Sequence, residues 1–508
     1  MNLNKATHRQ NFKRLPSRYG RVSAIALAAF CILSPLASAQ AETLGSALAS
    51  AYRYNPRIDA ERARLRATDE SVPQARSGYL PRINGSAEVN IQDVRSRLRD
   101  EDANGFSSTL GTISSGTRSG DTIYPRSYGV TLQQNLFNGF RTSNTVAEAE
   151  SNVRAGRETL RDIERQVLLE AATAYMDVVR DKAIVGLQEN NVSVLSRELR
   201  ATTDRFNVGE VTRTDVSQAR ARRAGSVSSL DLARANLKGS RARYERVVGN
   251  PPTGLSEPGV PYRVMPKSLN DAIAIGINEN PLVIAALYRE QAARHSVDVV
   301  RGELLPTLNL EASYLNRFNT SSTVAENEVT TLTGRLDIPI YQGGEVSARV
   351  RASKHTHVSR LQEVEDARTQ VREAVVTAWS QFEAVKAQLV SDQTQVDANQ
   401  TALTGVREEE KVGQRTLLDV LNAEQELLNA QVQLATTRRN LIVAAYTVLS
   451  TVGRLSVDNI GVVDTVYDPE AHYDEVRRKW WGISITHDDG RRERLELWDS
   501  VGRNWSMK

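Results

Sequence analysis

The chain repeats itself, and this limits what it can fold into more than any other feature of the sequence. Leu44-x3-Leu48, followed by Tyr54-Asn55-Pro56, returns 225 residues later as Leu269-x3-Ile273 and Glu279-Asn280-Pro281. At the same offset Leu80-Pro81-x2-Asn84 returns as Leu305-Pro306-x2-Asn309. The offset then falls to 204: Leu136-Phe137-Asn138-Gly139 pairs with Ile340-Tyr341-Gln342-Gly343, and Thr173-Ala174-Tyr175 with Thr377-Ala378-Trp379. Val208-Gly209-x2-Thr212-x2-Asp215-Val216 pairs with Val412-Gly413-x2-Thr416-x2-Asp419-Val420, and Val248-Gly249 with Val452-Gly453. One insertion or deletion of 21 residues between the Leu-Pro and Phe-Asn-Gly signals accounts for the change. The boundaries this predicts are a first repeat over 40–253, a second over 254–455, and an extension over 456–508 outside the duplication.

Each repeat has the same internal order. A helical segment of roughly 34 residues runs to the Leu-Pro signal, where proline stops it. Alternation follows, with Ile83, Gly85, Ala87, Val89 and Ile91 set against Asn84, Ser86, Glu88, Asn90 and Gln92. A polar loop (about 95–124) leads to a second alternating run with Tyr128, Val130 and Leu132 on one face. In the second repeat Leu308, Leu310, Ala312 and Tyr314 form one such face, and Leu332, Leu336, Ile338 and Ile340 the other run's. Period two with one apolar face predicts strands, four per chain. From Gly139 to Gly209, and from Gly343 to Gly413, there is no proline; as helices these stretches extend about 100 Å each. The returning segments, 211–248 and 415–452, are shorter, and with the initial helical segment they match one long helix in length. The expectation is that the two short helices stack end to end beside the long one.

The last returning helix predicts its own packing. Val420, Leu427, Leu434, Leu441 and Val448 recur every seven residues, as do Leu421, Leu428, Ala435, Ile442 and Leu449, with Ala423, Ala430 and Ala444 as a third stripe. The combined apolar arc, about 160° at ~100° per residue, is wider than a two-helix seam and asks for neighbours on both sides. A strict heptad also implies left-handed supercoiling. Taken alone, these helices suit an ordinary soluble bundle best.

The N-terminus sets the compartment. Lys5, Arg9, Lys13, Arg14, Arg18 and Arg21 precede an apolar run from Val22 to Leu33, too short to span a bilayer. Ala37-Ser38-Ala39 supplies the small residues of a cleavage site, so 1–39 reads as an export leader, with cleavage at 41 as the nearby alternative. The full sequence has 65 Lys and Arg against 61 Asp and Glu; without the six leader cations 59 remain, and the formal charge falls to about −2. Nucleic-acid binding then has no compositional support. The single cysteine, Cys31, leaves with the leader, which excludes a disulfide framework and thiol chemistry.

The strands decide between a soluble bundle and a membrane protein. Four strands cannot close a barrel, and open edges invite pairing with another chain. In lipid an edge has no water to satisfy it, so closure is obligatory and about eight strands is the minimum. Two copies supply eight strands and three supply twelve; physics alone does not choose. Alternating runs of about ten residues near Tyr128, Phe137, Tyr314, Phe318 and Tyr341 suit an outer-membrane barrel. The competing arrangement is a small soluble sheet packed on the helices.

On these signals together, over residues 42–455, the sequence resembles the TolC family of outer-membrane efflux and secretion proteins. The resemblance rests on the duplicated helix–strand–strand–helix–helix order, the Leu-Pro, Phe-Asn-Gly and Val-Gly-x-x-Thr-x-x-Asp-Val signals, and the two Asn-Pro pairs. It implies a mainly α chain with a small β part, assembling as a homotrimer. A 12-stranded transmembrane barrel in outer-membrane lipid then continues into a long periplasmic α-helical barrel. It further implies a periplasmic adaptor and an inner-membrane RND or ABC transporter as partners. In the family's pattern the adaptor-docking tip falls at Val208-Gly209-Glu210 and Val412-Gly413-Gln414. The constriction falls on Asp419 and Asn422, where Asn422 stands in place of a second aspartate. Arg415 matches the arginine of a gate latch, with Thr214 and Asp215 matching its partners and Glu410 standing where a tyrosine is found. By spacing alone Arg415 and Asp419, at i,i+4, also suit a simple surface pair.

No catalytic constellation accompanies these features, and neither a cofactor nor a metal is expected. His355 and His357 diverge on a helix and make a poor metal pair, and no Gly-rich phosphate loop or nucleophile elbow is present. Energy for transport must come from a partner. The leading function is an exit duct shared by drug efflux and type I secretion. A dedicated protein-secretion duct is the nearest alternative, and a periplasmic coiled-coil scaffold or adhesin without a pore the remote one. The 456–508 extension carries Trp480, Trp481, Trp498 and Trp505 and basic runs, without periodicity; it either wraps the helical body or stays disordered.

Overall fold

A computed structural model describes residues 42–96, 119–321, 324–463 and 465–486. The leader lies outside these residues, as do Trp498 and Trp505. Helices α1 (Leu44–Tyr54), α2 (Pro56–Asp69) and α3 (Ser71–Arg76) lead through a short 3-10 turn to β1 (Arg82–Val89). Strands β2 (Gln92–Ser96), β3 (Ser119–Ile123) and β4 (Arg126–Phe137) follow. The long helix α4 (Arg141–Asn207) turns back as α5 (Arg213–Val248). The second repeat runs α6 (Leu269–Glu279), α7 (Pro281–Arg301), β5 (Thr307–Ser321), β6 (Val324–Asp337), α8 (Glu345–Lys411) and α9 (Leu417–Thr451). Two short helices, α10 (Val457–Ile460) and α11 (Ala471–Val476), belong to the extension. Both long helices have 67 residues, about 100 Å of rise.

Three boundaries differ from expectation. The 34-residue helical segment of each repeat is broken at Asn-Pro. Proline opens the second helix at its first position, where its missing N–H is harmless, and asparagine caps it. The asparagine serves two helices. Asn55 Oδ1 accepts from the Arg57 N–H at 2.9 Å while Nδ2 donates to the Val247 carbonyl at 2.9 Å. Asn280 repeats this with the Leu282 N–H at 2.9 Å and the Thr451 carbonyl at 2.8 Å. The end of each returning helix therefore meets the break in the short helices, which gives the end-to-end arrangement its physical joint. Second, part of the expected loop at 95–124 is paired strand: β2 and β3 form a two-stranded ribbon that extends the first hairpin. Third, β6 stops at Asp337, because Pro339 follows, and Ile338 and Ile340 lie beyond the strand, exposed.

The main sheet is antiparallel in the order β1-β4-β5-β6. Its register aligns Ile83 with Leu132, Gly85 with Val130 and Ala87 with Tyr128. It then sets Leu132 against Ala312, Val130 against Tyr314, and Ala312 against Leu332. One face is therefore apolar, and it is open: Ile83, Val89, Val130 and Leu332 are exposed in the single chain. The other face carries Asn84, Ser86, Glu88, Thr131, Gln133, Glu311, Ser313 and Thr333. Among the described residues β1 and β6 have no strand beyond them. The soluble alternative needs helices over the apolar face, and among the described residues Ile83, Val89, Val130 and Leu332 carry no such cover.

The core lies where α1, α4, α5 and α9 meet, around Leu48, Leu168, Tyr175, Tyr244 and Leu449, all fully buried. The two heptad stripes of α9 go to different neighbours. Val420 and Leu427 pack with Leu403, and Leu441 and Val448 with Phe382 and Val385, all on α8. Leu421 packs with Leu195, and Ile442 and Leu449 join Leu168 and Tyr175, all on α4. No helix among the described residues is long and apolar enough to cross a membrane.

Candidate functional site

The site is built at the far ends of α4 and α8, where both long helices turn back through equivalent loops. Each ends in a left-handed glycine, Gly209 (φ +82°) and Gly413 (φ +79°). The Gly209 N–H donates to the Phe206 carbonyl (3.0 Å) and the Glu210 N–H to Arg205 (2.9 Å). Gly413 and Gln414 do the same with Glu410 and Glu409, both at 2.9 Å. This double bond pattern satisfies carbonyls a helix end otherwise leaves orphaned and is the reason for glycine there. Val208 and Val412, one residue earlier, stand 79% and 72% exposed.

The returning helices start with paired capping boxes. Asp215 Oδ2 accepts from the Thr212 N–H (2.9 Å) and hydroxyl (2.8 Å), and the Asp215 N–H donates back to Thr212 Oγ1 (3.3 Å). Asp419 and Thr416 repeat it at 3.0, 2.8 and 3.3 Å. The Val-Gly-x-x-Thr-x-x-Asp-Val signal is therefore a helix stop followed by a helix start. Bonds from the Thr416 N–H and hydroxyl, with Arg415 nearby, hold the Asp419 carboxyl below the usual aspartate range. It is ionised and solvent-facing.

Arg415 Nε donates to Glu409 Oε2 at 2.8 Å, so within the chain it pairs across its own turn rather than with Thr214 or Asp215. Asp215 is engaged in its cap, one hairpin away. Glu410 and Asn422 do join the hairpins. Arg205 Nη1 donates to Glu410 Oε1 at 2.7 Å, linking α4 to α8, and also holds Glu210 at 2.9 Å. Arg222 Nη2 donates to Asn422 Oδ1 at 2.7 Å, linking α5 to α9. Just inside, Arg407 Nη2 meets Glu424 Oε1 at 2.5 Å, and the second Glu424 oxygen is buried without a partner among the described residues. Burial raises the neighbouring Glu198 carboxyl; Glu424 and Glu410 add to the shift, while Arg407 and Arg205 oppose it. Two ion pairs, Arg205 with Glu410 and Arg407 with Glu424, thus tie α4 to α8 and α8 to α9 near the tips. Arg205, Glu198, Arg407, Glu424 and Arg222 were not singled out from sequence. Their only signal is position within about four helical turns of the Val-Gly stops, and the partners that join helices sit on other helices.

A cleft of about 490 Å³ opens between α4, α5 and α9, lined by Gln188, Asn191, Arg222, Ser226, Leu418 and Gln425. Among the described residues no group of acids and histidines is arranged to hold a metal. The arrangement offers charge, a polar cleft and side-chain contacts between helices.

Comparison with known proteins agrees with this architecture. A family model described as outer membrane efflux protein matches residues 47–250 and 275–454, one segment in each repeat. Outer membrane efflux protein BepC of Brucella suis is 38% identical over 455 residues, covering 89% of this chain and 94% of that protein. Outer membrane protein TolC of Escherichia coli is 25% identical over 440 residues, covering 83% and 84%. The CmeC outer membrane channel of Campylobacter jejuni shares the fold, with a TM-score of 0.70 at 15% identity over 86% of this chain and 89% of that one. The chain belongs to the TolC family of outer membrane efflux proteins, non-enzymatic channels of the Gram-negative outer membrane that serve efflux and secretion.

Proposed function

We propose that three copies of this chain form the passive exit duct of tripartite efflux pumps and type I secretion systems. A periplasmic adaptor and an inner-membrane RND or ABC transporter open it at the helical tips. Membership of the family implies the trimer and the pump partners in general terms. The observation that carries the reading is the four-stranded sheet with a bare apolar face and two open edges. Three such sheets, edge to edge, make a closed 12-stranded barrel with its polar face lining a lumen. Tyr128 clusters with Tyr314 and Phe318, and Phe137 packs edge-on against Phe140. Nine residue steps along β4 separate Tyr128 from Phe137, about 30 Å of strand, in keeping with the height of an outer-membrane apolar band. Val358, Leu361, Val376 and Val390 of α8 are also exposed in the single chain, a further surface suited to sister subunits.

At the tips, the reading assigns the constriction to Asp419 with Asn422, and the latch to Arg415 and Glu410 with Thr214 and Asp215. Adaptor docking falls to Val208-Gly209-Glu210 and Val412-Gly413-Gln414. Threefold symmetry brings three ionised Asp419 carboxylates around one axis, which favours cations. Asp419→Asn leaves the Thr416 cap an oxygen acceptor but removes the charge. In planar bilayers the variant trimer loses most of its cation preference, read as a reversal potential moving toward zero under a salt gradient. An unchanged reversal potential removes Asp419 from the constriction.

A further inference from the structure

The extension past Leu455 belongs to neither repeat, yet its described part follows one course along the helices. Val457 is buried in the central core. The Tyr467 N–H donates to Tyr52 Oη at 3.1 Å, and the Arg62 guanidinium lies 4.8 Å from the ring centres of both tyrosines. Glu470 then pairs with Arg157 at 2.6 Å, and His472 Nδ1 stands 3.0 Å from Asp69 Oδ2. Finally Arg76 Nη1 donates to the Arg477 carbonyl at 3.1 Å. The partners read 52, 62, 69 and 76 along α1 to α3, and β1 begins at Arg82. Each contact is a step toward the sheet, and the last lies at the junction of helices and strands.

There the chain reads Arg477-Arg478-Lys479-Trp480-Trp481-Gly482-Ile483-Ser484-Ile485. Lys479 Nζ donates to the Ser484 carbonyl at 2.8 Å, and Gly482 takes φ +105°, so the segment turns back on itself. Trp480 and Trp481 are 78% and 76% exposed, and Ile483 and Ile485 are half exposed. Among the described residues Asp474 pairs with Arg477 at 3.3 Å, and Glu475 accepts from the Thr486 hydroxyl at 3.2 Å. Among the described residues Arg478, and Lys479 alongside its bond to the Ser484 carbonyl, are the cations next to the tryptophans in the chain. Tyr79 and Leu80 are also exposed at the helix–strand junction.

We propose that this turn is a membrane-interface anchor for the leaflet at the helical end of the barrel. Trp480 and Trp481 sit at the boundary of headgroups and acyl chains, where amphipathic indole rings are favoured. Arg478 and Lys479 meet the phosphates of anionic phospholipids. The assignment rests on the outer-membrane location and is independent of how the tips open. It commits to lipid because the patch pairs cations with aromatic side chains at the depth where the strands start.

Cys31 is the only cysteine in the sequence, so a Cys31→Ser, Ile483→Cys chain takes a single spin label. The full chain is reconstituted in vesicles of phosphatidylcholine, with or without phosphatidylglycerol. Collisions of the label with lipid-soluble oxygen and with a water-soluble nickel chelate are then compared. The proposal expects oxygen access and nickel protection, both abolished by Trp480→Ser with Trp481→Ser. Protection should be stronger with phosphatidylglycerol, and each cation neutralised in Arg478→Gln and Lys479→Gln weakens partitioning about fivefold. Full nickel access with the native tail overturns the anchor and leaves the patch to a protein partner. Protection that survives loss of both tryptophans overturns the role of the pair, and equal protection in both lipids overturns the anionic headgroup.

Discussion

At the residue scale, Asn55 and Asn280 show how one side chain joins three pieces of helix. Each caps the helix that begins at the following proline and reaches back to an orphaned carbonyl at the end of a returning helix. Both are buried, at 8% and 3% exposure, so neither finds water if its partner is lost. Asn280→Ala leaves the Thr451 carbonyl and the Leu282 N–H unpaired. We expect a loss of about 1–3 kcal/mol, read as a lower unfolding midpoint of the detergent-solubilised protein, with Asn280→Asp recovering only the cap. Asn-Pro was legible as a repeated signal, but the break it makes was not. Apolar spacing runs across it, and the carbonyl partner lies 192 residues away for Asn55 and 171 for Asn280.

Glu164, on α4 beneath the extension, makes a second residue-scale prediction. Burial pushes its carboxyl up to about 7, and Asp458 adds to the rise against the opposing pull of Arg62 and Arg161. Because the folded value lies above the unfolded one, the folded chain holds the extra proton between about pH 4.5 and 7. Stability therefore falls as pH rises through that window, by up to about 3 kcal/mol, and levels off above it. Glu164→Gln should flatten this part of the profile and raise the unfolding midpoint at pH 8, measured by thermal melts between pH 5 and 8. Equal pH slopes for both proteins contradict it.

At the scale of elements, the sequence carried the long helices and their stops with little ambiguity. Absence of proline from 139 to 209 and from 343 to 413 marks them, and Val-Gly marks where each ends. The wide apolar arc of α9 also forecast two neighbours, and its stripes do divide between α8 and α4. What stayed hidden was the set of ion pairs between hairpins, because helical periodicity shows which face is buried and not which helix covers it. Arg205 is the clearest case. It bonds Glu410 on α8 and Glu210 in its own turn, so Arg205→Ala frees two contacts at once. Partly exposed pairs of this kind are worth about 0–1 kcal/mol each, weak enough for modest competing contacts to break. In planar bilayers the Arg205→Ala trimer should show a higher single-channel conductance than the parent, and Glu410→Ala should match it. The double variant should add little to either. If all three conduct like the parent, the link does not restrain the tip. The ribbon of β2 and β3 was missed for another reason: its residues Gln92–Ser96 and Ser119–Ile123 are polar and lack the one-sided alternation that marks a half-buried strand.

At the scale of the whole molecule, duplication and strand count together determine what one chain cannot do alone. Two repeats supply four main strands, and the register places Ile83, Val130, Tyr314 and Leu332 on one exposed face with polar residues behind them. Edges and apolar face were both legible from alternation, and with them the need for partners and lipid. The choice of three copies over two was not, because closure physics accepts eight strands or twelve; family resemblance supplied it. The course of the extension was illegible altogether. Its contacts with Tyr52, Arg62, Asp69 and Arg76 join residues some 400 positions apart and leave no periodic trace. The central claim, that sister chains complete the sheet within a membrane, is tested most directly by the mass of the purified particle in detergent, corrected for bound detergent. The account predicts three chains per particle, with precipitation once detergent is withdrawn. A monomer that remains in solution without detergent contradicts it.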